Sequence, residues 1–137
     1  MAMPAWRLRA GTLKAMAALS AARLVVMLIP LRWWRGTLGL DGGPPLPDQL
    51  RRAFRRAAHL QRGAARLPFE IKCLPRAVAL SWLLRRDDIA HAVIIAIRPP
   101  AARTGEDDLH AWLEVSGAKI VGELPGPWVE LLRRGGI

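Results

Sequence analysis

The sequence predicts an α+β domain in which helices come first and a small antiparallel sheet follows. Three observations predict it. Apolar residues recur at helical spacing in successive stretches up to Arg86. Residues 90–98 are rich in valine and isoleucine, as a strand buried on both faces would be. Residues 109–115 then alternate apolar and polar, Ser116-Gly117 supplies a two-residue hairpin, and residues 118–123 return. With 137 residues, 52% of them hydrophobic, the chain has material for one compact core and not two. Within it, residues 1–47 read as a basic helical region closed by a Gly/Pro break, and residues 48–137 as the body that carries the chemistry.

The first helix covers residues 13–29 and stops at Pro30, which cannot continue it. Lys14 and Arg23 interrupt its apolar run, so the stretch reads as a helix packing on its own domain or on a partner, not as a bilayer span or a secretory signal. Leu31 to Arg35, with Trp33-Trp34, suits either an aromatic core or an interface, and membrane contact is not predicted. Asp41-Gly-Gly-Pro-Pro-Leu-Pro47 is a break. Asp48 is the expected N-cap of the second helix, in which Leu50, Phe54, Ala57, Leu60 and Ala64 form an apolar stripe. Arg51, Arg52, Arg55, Arg56 and Arg62 fill most of the remaining surface. Residues 67–72 approach the third helix in an extended conformation, and that helix runs from Cys73 to Arg86 with Pro75 in its first turn. Apart from Ser81, residues 77–84 are apolar, which marks this helix as the buried centre of the domain. Asp87-Asp88 make the turn into the sheet, residues 99–108 form a polar loop, and Trp128, Leu131 and Leu132 suggest a short helical turn docking on the body.

Charge is distributed unevenly. The net charge is +10, and residues 1–66 alone hold 12 Lys/Arg against Asp41 and Asp48, while the remainder is balanced. A cationic half can meet an acidic partner, an anionic membrane surface or nucleic acid. No nucleic-acid-binding motif accompanies it, and nucleic acid is not an expected partner. One cysteine cannot form an internal disulfide, which points to the cytoplasm, and neither a zinc-site spacing nor a phosphate-binding loop is present, so no metal or cofactor is expected.

That single cysteine opens a helix, and 37 residues later His110 stands on a strand, the layout of a nucleophile and a base that meet only in the fold. A helix N-terminus and a neighbouring imidazolium both favour a thiolate, and the Cys73 backbone N–H could donate to a developing oxyanion, with Gln61 a remote second donor. A two-residue turn fixes register, pairing Glu114 with Lys119, Trp112 with Val121 and His110 with Glu123. His110, Trp112 and Glu114 then share one face, Leu109, Ala111, Leu113 and Val115 the core face, and Glu123 becomes the carboxylate that orients His110. Asp108 is the weaker substitute, and His91 could replace His110 as base, whereas His59 sits in the cationic helix. An inert buried thiol and a satisfied strand histidine are the structural alternatives.

Read together, Leu-Pro, then Cys-Leu-Pro-Arg-Ala-Val-Ala-Leu with Leu-Leu-Arg-Arg, the Val-Ile-rich strand, His-Ala-Trp-Leu-Glu and Gly-Ala-Lys-Ile-Val-Gly resemble the transglutaminase-like cysteine peptidases of lasso-peptide biosynthesis over residues 67–123. The match is to the stand-alone protease half of the split B protein. The resemblance implies a papain/transglutaminase-like fold, Cys73 as nucleophile, His110 as base and cleavage of a leader from a ribosomally made precursor through a thioester. It implies two protein partners, a small leader-binding recognition protein and an asparagine-synthetase-like cyclase. The third catalytic position, commonly Asp in that family, falls on Gly122-Glu123 here, and Asp88 stands in a turn where glycine is usual. Trp112, Arg51 and Arg55 are the candidates for substrate or partner contact. The readings from other classes are a non-catalytic cationic interaction module and transglutaminase-type acyl transfer, which uses the same residues with an amine in place of water.

Overall fold

The computed structural model describes residues 5–42, 46–105, 108–116, 118–121 and 126–135, with side chains from residue 10 onward except that of Val121. Four helices, α1 (Ala5–Leu28), α2 (Leu31–Trp34), α3 (Pro47–Arg66) and α4 (Cys73–Arg86), precede four strands, β1 (Ala92–Ile97), β2 (Leu109–Val115), β3 (Ala118–Val121) and β4 (Val129–Gly135). The sheet is antiparallel with order β3-β2-β1-β4. The α+β architecture is the one the sequence predicts.

In α1, Thr12, Ala15, Leu19 and Ala22 are buried, a spacing of three and four residues that forms one stripe against α3 and α4. By length and composition alone Ala10–Leu28 is long and apolar enough to cross a bilayer in spite of Lys14 and Arg23, so the expected shortfall is not there. Small residues bring α1 and α3 close. A Cβ on Gly63 would sit 3.1 Å from Met16 Cγ and 3.3 Å from its backbone N. The α3 start differs from expectation. Leu46 is the N-cap and Pro47 the first helical residue, where a missing N–H costs nothing, while the Leu46 N–H donates to Gln49 Oε1 at 3.0 Å. Asp48 lies in the first turn, where its charge complements the helix dipole.

The cationic surface of α3 divides into two roles. Arg56 donates two hydrogen bonds to Asp87, at 2.8 and 3.1 Å, and Arg52 reaches the same carboxylate at 3.5 Å, tying α3 to the end of α4. Arg51, Arg55, Arg62 and Arg66 remain exposed. Between these arginines His59 is buried against Gly11, where an added Cβ would collide with the imidazole, and among the described residues neither ring nitrogen has a hydrogen-bond partner. Burial first, then the Arg62, Arg56 and Arg55 guanidinium groups, holds His59 below the ordinary histidine range. The unfolded chain therefore binds a proton that the fold resists, so His59 costs stability progressively as pH falls below about 6.5. His59→Leu is expected to stabilise the fold by about 1 kcal/mol at pH 7 and to flatten the acid side of a Tm-against-pH curve. An unchanged acid limb would place the sensitivity elsewhere.

α4 is buried on most sides, with Ala77, Val78, Ala79, Leu80, Leu83 and Leu84 in the core, as its sequence predicts. Asp88 adopts φ 58°, the left-handed turn conformation that Asp tolerates better than most residues. The main core lies between the helices and the sheet face bearing Val93, Ile95, Ala111, Leu113 and Val115. A smaller cluster of Ala92, Ile94, Ala96 and Trp112, with Trp128 packed on it, covers the other face.

Two expectations about the sheet are corrected. Residues 129–135 form β4, not a helical turn, because β1 is buried on both faces and needs hydrogen-bonding partners along both edges. The hairpin register holds for Val115↔Ala118 and Glu114↔Lys119, then shifts by a bulge so that Val121 faces Leu113 and not Trp112.

Candidate active site

Cys73 is the first residue of α4 and is a free, partly exposed thiol. The approach is anchored on both sides of the backbone. Ile71 is buried, Arg76 Nε donates to its carbonyl at 2.8 Å, and Phe69 lies under the Arg23 guanidinium at 4.5 Å. Lys72 is the N-cap, extended, with no side-chain cap on the helix. Pro75 in the first turn has no N–H, so the amides that end at this terminus belong to Cys73 and Leu74. These two amides at an open helix N-terminus are placed to donate to an oxyanion.

His110 is the second residue of β2 and is 7% exposed. It sits on the sheet face away from the main core, as alternation requires, opposite Ala96 of β1. Its imidazole stacks on Trp128 with centroids 5.2 Å apart and lies 6.0 Å from Trp112. Trp112, expected to meet substrate or a partner, is only 5% exposed, donates its indole N–H to Glu114 at 2.7 Å and carries Lys119 Nζ 4.6 Å from its ring. It supports His110 from within the small core. Arg51 and Arg55, by contrast, are exposed on α3.

Glu123, the expected third member of the site, lies outside the described residues, and the ladder on which its expected pairing was based shifts register between Leu113 and Glu114. Asp108 is occupied elsewhere. Its carboxylate accepts the Thr104 and Gly105 N–H groups at 2.9 and 2.7 Å, closing the loop before β2. Gln61 is exposed on α3.

His91, the alternative base, is a buried structural residue. Its Nδ1–H donates to the Ile89 carbonyl at 2.8 Å, which leaves Nε2 to accept from Ser81 Oγ at 2.7 Å, and Ser81 in turn accepts the Gly39 N–H at 2.8 Å. Burial pushes its protonation below the ordinary histidine range. Sequence reasoning missed this relay, although Ser81 as the lone polar residue in an apolar helix was its signal.

A family model described as the transglutaminase-like superfamily matches residues 15–131. The chain belongs to that superfamily. No curated protein and no solved structure matches it. Transglutaminase-like proteins are typically cysteine-dependent enzymes and include peptidases and acyl transferases. The matched span takes in the buried stripe of α1 from Ala15, both candidate residues and the start of β4, so the first helix is part of the transglutaminase-like domain.

Beside Cys73 this transglutaminase-like domain opens an apolar groove of about 660 Å³, within the size of ligand clefts. Leu74, next to Cys73, and Leu109, next to His110, line it together with the end of α1, Leu31, Ile95 and Leu131. Cys73 and His110 do not themselves line it, and alternation along β2 turns the His110 side chain to the sheet face opposite that of Leu109. Many of the exposed large apolar side chains collect at the groove, including Met27, Leu28, Leu31, Leu109 and Leu131, and a concentration of that kind marks a binding surface.

Proposed function

We propose that this protein is a cysteine peptidase that removes the leader from a ribosomally made lasso-peptide precursor. Cys73 attacks the scissile carbonyl as thiolate, the Cys73 and Leu74 amides receive the oxyanion, and His110 protonates the leaving amine and then activates water to release the thioester. Glu123 is the proposed orienting carboxylate. A small leader-binding protein presents the precursor, an asparagine-synthetase-like cyclase uses the freed core, and the setting is the cytoplasm. The observation that carries the reading is a partly exposed thiol at an uncapped helix N-terminus in a transglutaminase-like domain. The chain motifs around Cys73 and His110 supply the finer assignment.

The apolar groove is where precursor side chains would lie. Met27→Glu and Leu131→Glu change residues that are 64% and 59% exposed, so the fold should tolerate them. Each is expected to raise KM for precursor about tenfold with kcat within about twofold, the signature of lost uniform binding. Steady-state cleavage followed by chromatography reads this directly, and unchanged KM in both variants would remove the groove from the substrate path.

A further inference from the structure

We propose that Trp128 is a positioning residue for His110, holding the imidazole by its face so that its nitrogens are directed along the ring edge. This rests on the Cys73–His110 reading above. Trp112 lies near His110 because residues two apart on a strand share a face, and its indole is fixed by Glu114. Trp128 has no such local reason to be there. It precedes β4, and β1 separates β4 from β2. Two features let it cross. Ala96 stands opposite both His110 and Glu130, and its small, fully buried side chain leaves room for an indole to lie over β1. The β1–β4 ladder also shifts register at Ile95/Ala96, and a bulge re-aims the strand that carries it.

The ring contact that results has stacking geometry, with centroids 5.2 Å apart and planes 29° from parallel. Arg98 holds the indole in its turn, its guanidinium carbon 4.3 Å from the Trp128 centroid. A stacked face restricts rotation of the imidazole about its Cβ–Cγ bond, the motion that would swing the accepting nitrogen away from a thiol. The effect belongs to orientation and not to charge, so phenylalanine should preserve it.

The test is the rate of Cys73 alkylation by iodoacetamide at pH 6.5, which reads the thiolate without needing a peptide substrate. Wild type, Trp128→Phe, Trp128→Ala, His110→Ala and the Trp128→Ala/His110→Ala double variant are compared. Trp128→Ala is expected to lower the rate about tenfold, toward that of His110→Ala, because small displacements of a positioned group are costly. Trp128→Phe should remain within about twofold of wild type, and the double variant should equal His110→Ala alone. A wild-type rate in Trp128→Ala, a Phe variant as slow as the Ala variant, or a further loss in the double variant would overturn the proposal. If His110→Ala alkylates like wild type, the Cys73–His110 reading itself fails and this inference fails with it. The two failures are thereby distinguished.

Discussion

Cys73→Ala is expected to abolish the proposed precursor cleavage while leaving the protein folded. Cys73 is partly exposed at a helix end, so exchanging its thiol for hydrogen opens little core volume. The nucleophile itself is gone, and in enzymes of this type that loss is of order 10⁶ in kcat. His110→Ala is expected to cost about as much, since nucleophile and base act as a unit, and the double variant should be no worse than either. Cleavage measured by chromatography beside a circular dichroism spectrum checks both parts. Residual cleavage above about 1% of wild type in folded Cys73→Ala would exclude thioester chemistry at this residue.

The second large effect concerns a histidine that does no chemistry. His91→Ala removes one acceptor and one donor from a closed relay, stranding the Ser81 hydroxyl and the Ile89 carbonyl in the interior. Ser81 also receives the Gly39 N–H, on a segment whose only freedom is backbone. Gly39 has φ 75°, and a Cβ there would run into the Arg134 carbonyl. Loss of the relay is expected to destabilise the domain by about 3 kcal/mol, read as a lower urea midpoint. Its sign with pH follows from burial. His91 is held neutral in the fold, so the unfolded state takes up the proton as pH falls below about 6.5 and stability is lost in that direction. Cysteine reactivity per folded molecule should be unchanged. Lost reactivity with an unaltered midpoint would make His91, not His110, the base.

Much of this was legible in the residues because local signals and the global fold agree. The limits of α4, the apolar run of β1 and the alternation of β2 were each readable from composition and period, and they are the elements that carry Cys73 and His110. Leu131 and Leu132 were harder. An apolar pair after a proline-rich turn suits a helical turn or a strand equally, and only the free edge of β1 selects the strand. The bulge at Leu113/Glu114 left no mark in the sequence, because one slipped residue changes pairing without changing composition. Polar residues buried in apolar surroundings were the other gap. His59 looked like one more member of a charged helix, yet it faces Gly11 on α1. Helical spacing shows which residues share a face, not which face an incoming helix will cover.

The basic N-terminal half also acquires a more definite meaning. Arg52 and Arg56 serve Asp87 and Arg23 covers Phe69, so part of the positive charge is architectural. Among the described residues Lys14, Arg32 and Arg35 are also exposed, and on α3 Arg51, Arg55, Arg62 and Arg66 form a cationic surface group.

The most direct measurement of the central claim is the second-order rate of Cys73 alkylation between pH 5 and 9 in wild type and His110→Ala. The chain holds one thiol, so the signal has one source. An activated pair predicts substantial reactivity well below about pH 8 in wild type, displaced to higher pH when the imidazole is removed. Slow alkylation with the same profile in both folded proteins would contradict the account and leave Cys73 a structural residue.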